Sequence, residues 1–244
     1  MTTDVLVERD DERPSPARSR RVVSVAGVVV AAYIAFVAVG SVMGLLIVHL
    51  LDHGSVGRAD EGVEELLARH RDSTLNHVTA FLSGMASTLA IIAAALVLGV
   101  VWRFVAKEWK GLALVAIGLL IEVSTFVTIA ALVDRHRPDV ARLDQSPPTS
   151  SFPSGHTAAS MVLYGAIAVL VFGLTRRAAA RFWAALVAIF VPAAVAFGRL
   201  YRGMHHPTDV LVGVLLGIGA LIVAALVVRR SSAPETTPIS RLGP

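Results

Sequence analysis

Six long stretches that are free, or almost free, of charge constrain this chain more than any other feature. A bilayer-crossing helix needs about 20 mostly apolar residues. Residues 22–48, 78–102, 157–175, 182–198 and 210–228 carry no Asp, Glu, Lys or Arg, and 111–133 is interrupted only by Glu122. The fifth stretch contains Pro192, which a membrane helix tolerates when neighbours cover the freed carbonyl. The first stretch is too long for the apolar core of a signal peptide and reads as a retained span. A chain that is 55% hydrophobic and 16% charged has too little polar surface for an ordinary soluble domain, where about 25% of residues are charged. The expected fold is all-α, a six-helix transmembrane bundle over residues 22–230. Residues 1–21 mix both charges, and 231–244 are rich in Ser, Thr and Pro; both read as disordered tails. The absence of cysteine excludes disulfides, thiol catalysis and Cys-ligated metals.

Charge placement sets the expected orientation. Arg9, Arg13, Arg18, Arg20 and Arg21 precede the first span; Arg103, Lys107 and Lys110 follow the second; Arg176, Arg177 and Arg181 follow the fourth; Arg229, Arg230 and Arg241 follow the sixth. These alternating segments hold 14 of the 22 basic residues, and basic flanks mark the cytoplasmic side. Both termini are therefore expected inside, with 49–77, 134–156 and 199–209 facing out. This division removes the +4 net charge as a sign of nucleic-acid binding; the expected partners are the bilayer and a lipid substrate. Residues 62–71 place their apolar side chains on one helical face, as a short helix at the membrane surface would. The use of 20 Arg against 2 Lys, with abundant Ala and Val, points to a GC-rich bacterial genome and hence to a bacterial plasma membrane.

Polar chemistry collects in two outer connections. One runs Asp134-Arg135-His136-Arg137-Pro138-Asp139 and ends in Ser151-Phe152-Pro153-Ser154-Gly155-His156, at the start of the fourth span. The other runs from Gly198-Arg199 through Tyr201-Arg202 to His205-His206-Pro207-Thr208-Asp209. Guanidinium forks bind phosphate oxygens bidentately. A helix N-terminus offers unpaired N–H groups and a positive dipole end. Gly155 would let the backbone approach a phosphate closely, and Ser154 would add a hydroxyl donor. A histidine beside such an anion can attack phosphorus or shuttle a proton. Asp209, four residues after His205, would hold that imidazole in one tautomer. The assembly reads as a site for phosphoryl transfer without an obvious metal.

These residues resemble a named family. Pro153-Ser154-Gly155-His156 and Arg199-x5-His205-x3-Asp209 are similar to the second and third motifs of the type 2 phosphatidic acid phosphatase (PAP2) superfamily, and Arg137-Pro138 is similar to the end of its first. The resemblance implies an integral-membrane lipid phosphate phosphatase that needs no metal or cofactor. It implies His205 as a nucleophile that forms a phosphohistidine, Asp209 as its orienting partner and His156 as general acid and then base. Arg137, Ser154, Gly155 and Arg199 would hold the phosphate. The family's first motif begins with Lys seven residues before its Arg, and Ala130 stands there instead; Arg135 or Arg202 is the expected substitute cation. The substrate class is a lipid phosphomonoester of the phosphatidic acid type or a polyprenyl diphosphate.

Other readings compete. A phosphotransferase would use the same intermediate with an alcohol as acceptor. An anionic-lipid transporter or binding protein would use the arginines alone. A zinc site of His205, His206 and Asp209 has no convincing ligand spacing. Ser154 also suits a helix N-cap, and Asp209 a first-turn carboxylate after Pro207. His136 and His206 carry no derivable chemistry, so His206 is expected in a packing or loop role. Tyr201 suits an interfacial belt. Glu122 is expected to face the bundle interior and hydrogen-bond a Ser or Thr of another span.

Overall fold

The computed structural model describes residues 16–145 and 149–231, with side chains from residue 24 onward. The expected tails fall mostly on 1–15 and 232–244, outside the described residues, and the helical structure already begins at Pro16. Eight α-helices and no strand occur among the described residues. They are α1 (Pro16–Leu46), continued by a π-helical turn at Ile47–Leu51, α2 (Ser55–Arg69), α3 (Ser73–Gly84), α4 (Thr88–Ala106), α5 (Lys110–Val133), α6 (Gly155–Leu174), α7 (Ala178–Tyr201) and α8 (Pro207–Ser231). Six are long and apolar enough to cross a bilayer, the first as Ser24–Leu51. The expected helical bundle is therefore present, and six crossings return the chain to its starting side.

The second span differs from expectation. The apolar run 78–102 is broken at Met85–Ser87, so the span is α4 alone. Ala86 and Ser87 donate their N–H groups to Ser83 and Gly84 carbonyls, which closes α3. Ser87 then caps the next helix, its Oγ accepting from Ala90 N–H at 3.4 Å. Ser and Gly favour such a stop and restart over a continuous helix. The helix thus freed, α3, packs along α7. It buries Thr79 and Ser83 on that side.

Three spans form the centre. α5, α6 and α8 are the most enclosed, while α1 and α4 show mostly lipid-type surface. Small residues let α6 and α8 approach closely. A Cβ on Gly213 would come within 2.5 Å of the Ser154 carbonyl oxygen, and one on Gly217 within 2.5 Å of the Ala158 carbonyl oxygen. This small-xxx-small stripe of a membrane helix fixes the start of α8 against the start of α6. Both motif-bearing helix starts are thereby locked together. Beneath them, Ile47, Ile129, Val133, Phe152 and Val212 form an apolar floor.

Candidate active site

The site can be built from α8 outward. Asp209 lies in the first turn, after Pro207. Its Oδ2 accepts from His206 N–H at 2.9 Å, the back-reaching bond of a capping box. Its Oδ1 accepts from Arg135 Nη1 at 2.6 Å. His205, just before this start, is buried. Its Nδ1 lies 2.7 Å from the Ser151 carbonyl oxygen and 3.7 Å from Asp209 Oδ2. A carbonyl only accepts, so Nδ1 carries the hydrogen and Nε2 keeps its lone pair. The nearest acceptor of Nδ1–H is thus a backbone carbonyl, with the Asp209 carboxylate beside it. Burial, with Arg199 and Arg137 adding to it, outweighs the pull of Asp209 and holds the His205 pKa below its ordinary value. The ring is neutral at neutral pH, as a nucleophile must be.

α6 brings the second histidine. His156 is its second residue, within the field of Arg199, His205, Asp144 and Arg137. Ser154 occupies the N-cap, yet its hydroxyl bonds no first-turn N–H. It lies fully enclosed, 2.9 Å from Thr157 Oγ1. The Ser154 N–H donates to the Asp209 carbonyl at 3.0 Å, which joins the two helix starts. The missing Cβ of Gly155 faces the Phe126 ring, at 3.1 to 3.2 Å. Glycine at this position therefore also serves the packing of α6 on α5, and its N–H lies in the first turn of α6, where backbone donors have no partner within the helix.

The arginines divide into two kinds. Arg137 gives Nη1 to the Met204 carbonyl at 2.6 Å and Nη2 to the Thr149 carbonyl at 3.5 Å. Arg199 gives Nη1 to Ser83 Oγ at 2.8 Å and lies 3.3 Å from Asp144 Oδ2. The Nε groups of both, like that of Arg135, are buried without an acceptor among the described residues. Arg135 differs in its counter-charge. Its Nη1 binds Asp209 and Thr208, and its Nη2 reaches Asp52 Oδ1 at 2.6 Å and Asp60 Oδ2 at 3.1 Å. Arg202 holds Asp144 in a two-point fork of 2.8 and 2.6 Å. Both of these guanidinium groups already face carboxylates, and Ala130 is buried.

Several contributors carried no legible signal in the sequence. The helix expected over 62–71 is α2, and its buried Asp60 and Glu64 face the site's rear. Asp60 accepts from Thr208 Oγ1 at 2.6 Å, and Glu64 lies 2.6 Å from His206 Nδ1. His206 Nε2 lies 3.1 Å from the His136 carbonyl oxygen. Two acceptors make this ring an imidazolium. Burial opposes that charge, but Glu64 and Asp209 raise the pKa above its ordinary value. His206 thus ties α2 to the connection that holds His136. Tyr201 is not an interfacial belt residue: it is buried, and its hydroxyl accepts from Asp72 N–H at 3.1 Å. Glu122 faces the interior, but neither carboxyl oxygen makes the expected hydrogen bond.

Comparison with known proteins gives consistent relatives. The sequence profile described as "PAP2 superfamily" matches residues 109–233, just over half of the chain. Phosphatidylglycerophosphatase B of Bacillus subtilis is 27% identical over 175 residues, covering 71% of this chain and 85% of that protein. Decaprenylphosphoryl-5-phosphoribose phosphatase of Mycobacterium tuberculosis is 33% identical over 124 residues, covering 48% of this chain and 60% of that protein. Among solved structures, a transmembrane PAP2-type phosphatidylglycerolphosphate phosphatase from Bacillus subtilis aligns with a TM-score of 0.67 at 22% identity, covering 86% of this chain and 98% of that one. LpxE of Aquifex aeolicus aligns with a TM-score of 0.52 at 21% identity, over 68% of this chain and 93% of that one.

Proposed function

The chain belongs to the PAP2 superfamily, and from that premise we propose that it is an integral-membrane phosphatase removing the terminal phosphoryl group of a lipid through a phosphohistidine. One observation carries this reading. His205 is buried, its Nδ1–H is spent on the Ser151 carbonyl, which leaves Nε2 its lone pair, and the ring lies in the field of Arg137 and Arg199, whose Nε groups have no acceptor among the described residues. The lone pair of Nε2 attacks phosphorus while the bond from phosphorus to the lipid oxygen breaks, and His156 gives that oxygen its proton. Water then attacks the phosphohistidine, His156 takes a water proton, and inorganic phosphate leaves with His205 regenerated. Arg137, Arg199 and the α6 N-terminus hold the oxygens whose charge changes, the kind of preorganised stabilisation that dominates such reactions. Arginines supply this positive charge, so the reaction proceeds without a metal.

The names of the two curated relatives speak for a phosphomonoester at the end of a lipid headgroup. The orientation of basic residues supports an outer-face site in a bacterial plasma membrane, with both termini cytoplasmic. The test is phosphate release by purified protein in mixed micelles, from phosphatidylglycerophosphate, phosphatidic acid and undecaprenyl diphosphate, with and without EDTA. Turnover unaffected by EDTA and abolished by His205→Ala, with folding intact, is expected. Release from none of the three lipids, or full activity of His205→Ala, overturns the reading.

A further inference from the structure

The connection between α5 and α6 brings a carboxylate into a site meant for an anion. Asp144 Oδ2 lies 3.3 Å from Arg199 Nη1 and 2.8 Å from Arg202 Nε, while Oδ1 lies 2.6 Å from Arg202 Nη2. Its backbone is fastened there independently. Leu143 N–H donates to the Arg202 carbonyl at 3.1 Å, and Arg202 Nη2 donates to the Leu143 carbonyl at 3.0 Å. Arg71 Nη1 holds the Ala141 carbonyl at 2.6 Å. The side chain is about one-third exposed, so solvent and solutes reach it. Asp144 also lies within the field of His156.

We propose that Asp144 is a built-in competitor of phosphate: it holds Arg199 in the free protein, weakens the binding of phosphate dianions there, and so eases release of the inorganic phosphate product. This rests on the phosphatase reading above. A carboxylate and a phosphate offer the same paired oxygens to a guanidinium fork, so both cannot hold the same Nη1 at full strength. Arg202 keeps Asp144 beside the site after phosphate arrives, so repulsion persists in the complex. That repulsion falls on states unequally. A bound ester or phosphate dianion carries its charge compactly, whereas the transferring group is metaphosphate-like, with less charge spread over three oxygens. Weaker ground-state and product binding with the transition state less affected favours turnover. A lipid substrate is concentrated by its own membrane and tolerates the loss of affinity. Ala130, in place of a family lysine, lowers the positive charge of the site in the same direction.

The test compares wild type with Asp144→Asn, as full chains in mixed micelles with phosphatidylglycerophosphate. The Asn variant is expected to lower both KM and the inhibition constant for inorganic phosphate by about tenfold, the scale of one charge-assisted contact, without raising kcat. An unchanged or higher inhibition constant means that Asp144 merely braces the loop or positions Arg199, and overturns the proposal. If the Asn variant is not recovered folded, Asp144→Ser gives the same measurement. Thermal shift with inorganic phosphate alone reads binding without turnover. Tighter phosphate binding by the variant with no lipid hydrolysis by wild type would sink the phosphatase reading and leave the competition standing.

Discussion

Two corners of the same end of the bundle carry the same residue types and do opposite things. At the α2 corner, Arg135 and His206 meet Asp52, Asp60, Glu64 and Asp209, so each cation faces buried counter-charge. At the histidine corner, Arg137 meets only backbone carbonyls among the described residues, and Arg199 shares one carboxylate with Arg202. Arg135, Arg137 and Arg199 each have a buried Nε without an acceptor among the described residues, so the difference lies in counter-charge and not in a count of hydrogen bonds. A cation that is already neutralised holds the fold. A cation that is not yet neutralised is available to an anionic substrate.

The sharpest way to break this comparison is to remove one arginine from each corner. Arg137→Ala and Arg199→Ala are each expected to lower kcat/KM by about 10²–10³-fold, the usual effect of losing one transition-state donor. Their thermal midpoints should stay near wild type. Arg135→Ala strands Asp60 and Asp209 as buried charges, and is expected to cost about 3–5 kcal/mol of stability. Loss of activity in that variant follows from loss of fold. An Arg135→Ala protein with a normal Tm and only weakened phosphate binding would erase the distinction between the corners.

The two neighbouring histidines sharpen it by pH. His205 has a lowered pKa, so its neutral form persists below pH 6.5, and the acid limb of kcat/KM is expected below that value. His206 has a raised pKa. A group raised in the folded state contributes its stability fully below its unfolded pKa and loses it as pH rises through the folded one. The α2 clamp should therefore weaken as pH rises above the ordinary histidine pKa and through the raised one. Glu64→Gln is expected to cost about 2 kcal/mol near pH 6 and to flatten that pH dependence of Tm. An acid limb well above pH 6.5 would contradict the neutral, buried His205.

The sequence makes some of this legible and hides the rest for physical reasons. Spans are legible because a bilayer demands length and apolarity from each segment separately. His156, His205 and Asp209 are legible because motif spacing is local, and helix starts position them. The partition of arginines is not: Arg135 and Arg137 are two residues apart, and only the fold decides that one faces α2 and the other the histidines. The Ser151 carbonyl is hidden because any residue could supply it. The break at Met85–Ser87 was hidden by hydropathy, since Phe81 and Leu82 look membrane-like. Yet Ser83, Gly84 and Ser87 mark it as a stop and a cap. Glycine 155 illustrates a further ambiguity. Its residue type suits close approach of a phosphate, while its Cβ direction serves Phe126.

Glu122 extends the same contrast into the membrane, with the smallest expected effect. At the end that carries the histidines, Asp60, Glu64 and Asp209 are buried carboxylates, and each has a cation or a strong donor. Glu122 is as deeply buried, 1% exposed, and neither oxygen has a partner; Thr125, one turn on, has an unpartnered hydroxyl as well. Among the described residues no hydrogen bond or ion pair reaches the Glu122 carboxyl, so a negative charge there would go uncompensated. Glu122→Gln keeps the shape and removes the ability to ionise, and is expected to leave kcat/KM within about twofold of wild type. Glu122→Leu removes two unpaired polar atoms and should raise stability by about 1–3 kcal/mol. Loss of turnover in the Gln variant, with Tm unchanged, would mean that a charge or proton at mid-membrane takes part in the reaction. The division between structural and reactive groups would then follow something other than counter-charge around the histidines.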